Sequence, residues 1–341
     1  MRIAYVGQLW SGSTSTARAN VLSERGHEIL PFDMTPYLTT GSRVGRAIAH
    51  RLLIGPAIRR FNEQLCRFLR EIGRVDVIWF DKARWVMPEA IHRAREYTGA
   101  RLVHYTPDPA FFLHKSRHFE RCIPLFDLCV TTKKYELARY REHGARAVVF
   151  TWQGIDDRFV SNPQACKLDG YRSGVVFVGH REPHYVKLLG MLARSMGDLR
   201  VRGPGWDSSI RIPRGLRPSI AGGPVWGTDY VNALALGKIG LGLLSKHYPD
   251  QFTTRSFEIP GAGAMLLAER TPEHREIFEE GKDADFFSSA AELIDKTQFY
   301  LAHDKRRTLV AAAGRLKVLR EYHWRDVLKP ALSFIEKGNV N

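Results

Sequence analysis

Short β-rich runs alternate with helical segments along almost the whole chain, and that alternation leaves few folds open. RIAYVG (2–7), EILPFD (28–33), VDVIWFD (75–81), RLVHYTPD (101–108), LCVTT (128–132) and AVVFTW (147–152) each read as a strand. Helix-forming segments separate most of them. Repeated β-α-β units of this length predict a parallel sheet wrapped by helices. The stretch 153–173 has no apolar periodicity and reads as a linker. The alternation then restarts, with GVVFVGH (174–180), LRVRGPGW (199–206), KIGLGLLS (238–245), AMLLAE (264–269) and ADFF (284–287) as strands. Helices are predicted at 289–302, 304–321 and 324–337, the last kinked at Pro330. At 341 residues the chain is too long for one typical core. The expectation is therefore α/β, with doubly wound domains at 1–155 and 156–323. A C-terminal helix, 324–341, is expected to pack back on the first domain.

Charge narrows the partners. Lys and Arg number 51 against 36 Asp and Glu, a formal net charge of +15. An excess this large points to a polyanionic partner. Much of it sits in 43–74, where Arg43, Arg46, Arg51, Arg59, Arg60, Arg67, Arg70 and Arg74 face only Glu63 and Glu71. Ile48, Leu52, Ile58, Leu65, Phe68 and Leu69 interleave at loosely helical spacing. The segment reads as a basic amphipathic helix, or two broken near Gly55-Pro56, suited to peripheral contact with an anionic membrane face or to an exposed helix face. The excess is not interleaved with an aromatic platform, so no nucleic-acid partner is expected. MRIAYVGQLW goes straight into strand-like sequence, and a cytoplasmic location is expected, with membrane association through 43–74 as the alternative. Cys66, Cys122, Cys129 and Cys166 match no zinc or redox spacing and read as free thiols. No metal site is expected.

The densest chemistry lies in 238–287. A buried strand is followed by the polar loop KHYPDQFTT (246–254) and a short helix carrying Arg255, Ser256 and Glu258. In doubly wound sheets ligands bind outside the carboxyl ends of strands, where Lys246, Thr254 and that helix start fall. Arg255 offers a bidentate donor to phosphate, and Glu258 an acceptor for sugar or ribose hydroxyls. Gly12, in the loop Gly12-Ser13-Thr14-Ser15 after strand one, is a further phosphate candidate. Trp206, Trp226 and Tyr230 are candidates to stack on a base or to pack a core.

The run TTRSFEIPGAGAMLLAERTPEHREIFEEGKDADFF (253–287) resembles the donor-site signature of the CgeB-like (spore-maturation-type) glycosyltransferases, relatives of the retaining family 4 group. The matching positions are Arg255, Phe257-Glu258, Gly263, the strand 264–268, and Phe278, Gly281 and Asp285-Phe286. VVFVGHREPHYVKLL (175–189) resembles the strand-loop-helix that opens the C-terminal domain of these enzymes, which implies that Gly179, Arg181 and Lys187 lie at the diphosphate, Lys187 foremost by position. The resemblance spans roughly 100–325. It implies a GT-B fold, two Rossmann-like domains facing a cleft, and sugar transfer with retention from a nucleoside diphosphate-sugar to a hydroxyl acceptor. No metal and no cofactor beyond that co-substrate is implied. The family's paired glutamates fall on Asp250 and Glu258, Asp replacing the first. By resemblance Glu258 contacts the ribose and Asp250 lies near the transferred sugar. On the acceptor side, His104 and Asp108 end a strand and are candidates to orient or deprotonate a hydroxyl, with Asp81 similarly placed. A non-hydrolysing sugar-nucleotide epimerase of the same fold and a basic nucleic-acid-binding protein are the alternative readings.

Overall fold

The structure, a computed structural model, describes residues 1–39, 53–82, 84–113, 116–160, 173–207 and 212–337. Two compact units emerge, Met1–Trp152 with Trp324–Asn341, and Gln153–His323. The first holds β1 (Arg2–Gly7), β2 (Glu28–Asp33), β3 (Val77–Asp81), β4 (Arg101–Thr106), β5 (Leu128–Thr131) and β6 (Val148–Phe150), ordered β2-β1-β3-β4-β5-β6. The second holds β7 (Ser173–Val178), β8 (Leu199–Arg202), β9 (Ile220–Gly222), β10 (Gly237–Gly242), β11 (Met265–Glu269) and β12 (Asp285–Phe287), ordered β12-β11-β10-β7-β8-β9. Every pairing in both sheets is parallel.

Strands covered by helices on both faces bury every residue, and β3 (VIWFD) and β7 (SGVVFV) do so. Helix starts follow local chemistry. The Ser13 side chain accepts from the Thr16 N–H ahead of helix Thr14–Glu24, and Pro56, Pro88, Pro183 and Pro272 open helices where the missing N–H costs nothing. Pro330 acts the same way. Instead of kinking one helix it stands at the second position of Lys329–Lys337, after a separate turn at Trp324–Val327.

The second unit has two differences from expectation. The strand expected over 199–206 stops at Arg202, because Gly203 and Gly205 have φ of 135° and 82°. A Cβ on Gly203 would lie 2.1 Å from the Gly179 carbonyl oxygen, so the loops after β7 and β8 touch backbone to backbone. The strand β9 has only three residues, IAG, too few and too glycine-rich to carry a periodic signal.

In the basic segment, 40–52 lies outside the described residues. The described part forms one helix, Pro56–Ile72, which starts at Gly55-Pro56, where the sequence allows a break. Ile58, Phe61, Leu65 and Leu69 enter the core of the first unit. The apolar face is therefore not available to a membrane, and what faces outward is Arg59, Arg60, Arg67 and Arg70 with Glu63 and Glu71. Among the described residues no helix is long and apolar enough to cross a membrane. Cys66, Cys122 and Cys129 are buried free thiols, and burial pushes Cys122 up to about 12; Cys166 lies outside the described residues.

Candidate functional site

In the second sheet β7 lies between β8 and β10. Connections run one way from β7 to β9 and the other way from β10 to β12, so the strand order reverses between β7 and β10. Ligands of open parallel sheets bind at the carboxyl ends of the strands at such a reversal. The loops there carry Gly179–Glu182 after β7 and Leu243–His247 after β10.

Arg255 is the cation set between them. Its Nη2 donates to the Leu243 carbonyl at 2.9 Å, and its guanidinium lies 5.4 Å from the Phe177 ring centroid. The Nε is buried with no hydrogen-bond partner. Gly179 makes room for this group, since a Cβ there would come within 2.5 Å of Arg255 Nη1. The Trp206 indole N–H donates to the Gly179 carbonyl at 2.8 Å, which fixes the loop and takes Trp206 into the core, away from any base-stacking role. Gly179→Ala is expected to displace the guanidinium, a flexible end, while leaving the backbone allowed. Nucleotide affinity should drop about tenfold with the melting temperature within a few degrees of wild type, as read by calorimetry and a thermal melt.

One helical turn on, Glu258 is 7% exposed and accepts the Tyr230 hydroxyl at 2.6 Å. Burial pushes its carboxyl up to about 7, against the lowering effect of the Tyr230 hydrogen bond; Asp156 adds to the rise and Arg158 and Arg255 oppose it. A carboxyl perturbed this far beside a strand-order reversal is a candidate functional group. Asp156 and Arg158, paired through two oxygens at 2.9 and 3.0 Å, come from the stretch read as a linker. They were missed because a charged pair without apolar periodicity looks like any solvated loop. Tyr230, a stacking candidate from the sequence, gives its hydroxyl to Glu258.

Glu258 retains a proton in the fold that the unfolded chain releases near pH 4.3. Its contribution is therefore full below that value and is lost as pH rises toward 7. Buried His274 runs the other way. Burial lowers it to about 4, so stability rises with pH between about 4 and 6.5 as the unfolded chain gives up its extra proton. Glu258→Gln is expected to remove the first effect and expose the second. Denaturant titrations from pH 4.5 to 7 should show a steeper rise than wild type, by up to about 1.4 kcal/mol per pH unit.

The other anticipated residues fall into three groups. Arg181 lies partly buried beside Gly205, with its Nε buried and its N–H bonded to Pro204 O at 3.0 Å, close to the Gly179 loop. Trp226 is 57% exposed ahead of helix Gly227–Ala235, and Asp250 is half-buried in the loop before Thr254. Others are occupied structurally. The Ser256 hydroxyl is fully buried and bonded to His274 at 2.8 Å, so it holds the helix instead of meeting a ligand. Thr254 bonds Gln153, and Lys246 pairs with Glu269. Lys187 points outward from helix Pro183–Ser195, whose inner face is Tyr185, Val186, Leu189 and Leu192.

In the first unit His104 is a core residue and not a catalytic one. Strand alternation turns it inward, 1% exposed, with its ring 5.2 Å from Phe126 and 5.3 Å from Phe119. Asp81 is likewise removed from acid–base work, fully buried in a two-point pair with Arg18. Asp108 stays partly exposed after β4 and pairs with Lys82 at 3.3 Å. Lys82 holds a left-handed φ of 54° at the carboxyl end of β3, an unusual conformation for a side chain of this size. Gly12 has φ 92° in the loop after β1, where Ser13 Oγ is engaged with Gln8 O and the Thr16 N–H. Among the described residues no group of three or more His, Cys, Asp or Glu is placed to hold a metal ion.

Comparisons with known proteins agree with this architecture. A family model described as glycosyl transferase-like matches residues 181–333. No curated protein matches the chain. Among solved structures, HepE from Anabaena in complex with UDP and glucose is 13% identical, with 99% of this chain and 100% of that one covered and a TM-score of 0.65. A glycosyltransferase from Rickettsia africae is 14% identical, with 98% of each chain covered and a TM-score of 0.65. Sucrose-phosphate synthase from Thermosynechococcus elongatus is 12% identical, with 99% and 98% covered and a TM-score of 0.68. At these identities the likeness shows the fold, and it is GT-B: two Rossmann-like domains with C-terminal helices.

Proposed function

We propose that this GT-B protein is a glycosyltransferase that moves a sugar from a nucleoside diphosphate-sugar to a hydroxyl acceptor, with retention and without a metal ion. The observation that carries the reading is the pairing of Arg255 with Glu258 beside the β7/β10 reversal, one a fixed cation and the other a buried carboxyl near neutrality. Arg255 meets the diphosphate, and Glu258 accepts from the ribose. Positive charge fixed at the departing diphosphate stabilises the transition state without a divalent ion. The glycosyl transferase-like match over the same segment supports this, as does the binding of UDP and glucose by HepE, a protein of like fold. The Arg255, Phe257-Glu258 pattern supports a place among the CgeB-like relatives of family 4. Asp250 lies near the transferred sugar in this reading, and Asp108 near the acceptor. The outward arginines of helix Pro56–Ile72 support peripheral contact with an anionic membrane and a lipid-linked acceptor, which liposome flotation with and without anionic lipid tests.

The direct test incubates the protein with a panel of sugar nucleotides in EDTA and follows thermal shift and slow release of nucleoside diphosphate. At least one donor should raise the melting temperature and be hydrolysed. No response to any of them, with tight salt-sensitive binding of duplex DNA, would instead support a nucleic-acid-binding protein.

A further inference from the structure

Beside Arg255 the same two loops hold a second group of side chains that the sequence pattern did not single out. Glu182 ends the loop after β7, and its side chain is only 4% exposed. Three imidazoles surround it. His180 Nε2 is 2.6 Å from Oε1, His184 Nδ1 is 3.4 Å from Oε2, and His247 Nε2 is 3.9 Å from Oε2. The Ser245 hydroxyl donates to Oε2 at 3.2 Å. Burial alone would raise the carboxyl, but the His180 and Ser245 hydrogen bonds outweigh it and hold Glu182 below the usual range. It is a fixed anion enclosed by the three rings.

Geometry ties this group to the phosphate end of the site. Arg255 and His184 bond to consecutive carbonyls, Leu243 at 2.9 Å and Leu244 at 2.8 Å. His184 Nε2 faces that carbonyl while Nδ1 faces the carboxylate, and both nitrogens can donate only when the ring is charged. Tyr185 lies within electrostatic reach of both Arg255 and Glu182. His180 directly follows Gly179, the residue against which the Arg255 guanidinium sits. Lys246, the next cation along the loop, is paired with Glu269. His180 and His247 are the exposed members, with side chains 50% and 68% exposed.

We propose that His180 and His247, held by Glu182 and backed by His184, form a protonation-dependent phosphate site that, together with Arg255, binds the diphosphate of a nucleoside diphosphate-sugar. This rests on the function proposed above and specifies what lends the site its charge. Glu182 is a positioning residue, since it acts through the rings. Histidine changes charge between about pH 5 and 8, so donor affinity falls as pH rises through that range. A nucleoside diphosphate-sugar has no secondary phosphate ionisation there, and a pH dependence of binding belongs to the protein. Glu258, the other group that titrates in the window, is separated by mutation.

The experiment is calorimetric titration from pH 6 to 8.5 with UDP-glucose, GDP-mannose and ADP-glucose, following the tightest. Wild-type affinity should fall about tenfold across the range, and in His180→Asn/His184→Asn/His247→Asn the fall should shrink to about threefold or less, while Glu258→Gln keeps most of it. An unchanged slope in the triple variant overturns the phosphate site and leaves the proposed function standing. Absence of binding by all three donors at every pH overturns the proposed function and this inference with it. A second readout needs no folded triple variant: imidazole proton titrations of the wild-type protein by NMR, assigned with single substitutions. Donor binding should move the midpoints of His180 and His247 upward, and unmoved midpoints contradict the proposal.

Discussion

Arg255→Gln is expected to lower kcat/KM for sugar transfer by about 10²- to 10³-fold while leaving the fold intact. The magnitude is that of removing one preorganised donor from a developing negative charge. The side chain contributes little to stability by comparison. It bonds the Leu243 carbonyl and rests on Phe177, and losing a hydrogen bond from a charged donor costs about 1.5–3 kcal/mol. Arg255→Lys separates charge from shape. The ammonium keeps the charge but lacks the planar fork, so it should recover only part of the activity. Steady-state kinetics with thermal melts of the three proteins check this. Equal losses of activity and stability in Arg255→Gln would mean that the arginine is a packing residue.

The second large effect concerns stability. Asp81→Asn is expected to destabilise the first unit by about 3–5 kcal/mol, because it leaves a buried guanidinium without its counter-charge. Arg18 Nε and Nη2 donate to the two Asp81 oxygens at 2.7 and 2.8 Å, and both side chains are fully buried. Burial would weaken the guanidinium's hold on its proton, but Asp81 outweighs that and holds it more firmly than in water. The Tyr5 hydroxyl donates to the same carboxylate at 2.5 Å, and the guanidinium lies over Tyr105 at 4.6 Å and Trp324 at 4.9 Å. Trp324 opens the C-terminal segment, so the pair also fastens the end of the chain to the first unit. Replacing both partners by apolar residues, Arg18→Met with Asp81→Leu, should recover most of the loss, since no lone charge then stays behind. Denaturant unfolding read by near-UV circular dichroism measures all three proteins.

The outline of the fold was legible because parallel strands covered on both faces are short continuous apolar runs with glycine or polar ends, and eleven of these are long enough to be read. The strand IAG at 220–222 was not, for three residues ending in glycine are too few to show a period. Buried Asp81 and His104 show the limit for sites. Each ends or interrupts an apolar run as a catalytic group would, and only the third dimension shows that one is neutralised by Arg18, 63 positions away in sequence, and the other is enclosed by aromatic rings. Arg255 and Glu258 were legible because they sit three apart in one local segment. Asp156, Arg158 and Glu182 carry no such signal, since they come from separate segments, and for Tyr230 the sequence suggests stacking but not the hydroxyl's bond to Glu258. Histidines in GHREPHYV and SKHYPD were the available signal, two strand-end loops each rich in imidazole, and their meeting depends on β7 and β10 being neighbours.

The most direct measurement is a crystal structure of the protein with a nucleoside diphosphate or its sugar donor. The diphosphate is expected within hydrogen-bonding distance of Arg255 at the carboxyl ends of β7 and β10, with a ribose hydroxyl on Glu258. A nucleotide bound elsewhere, or a site that stays empty at saturating donor, contradicts the assignment.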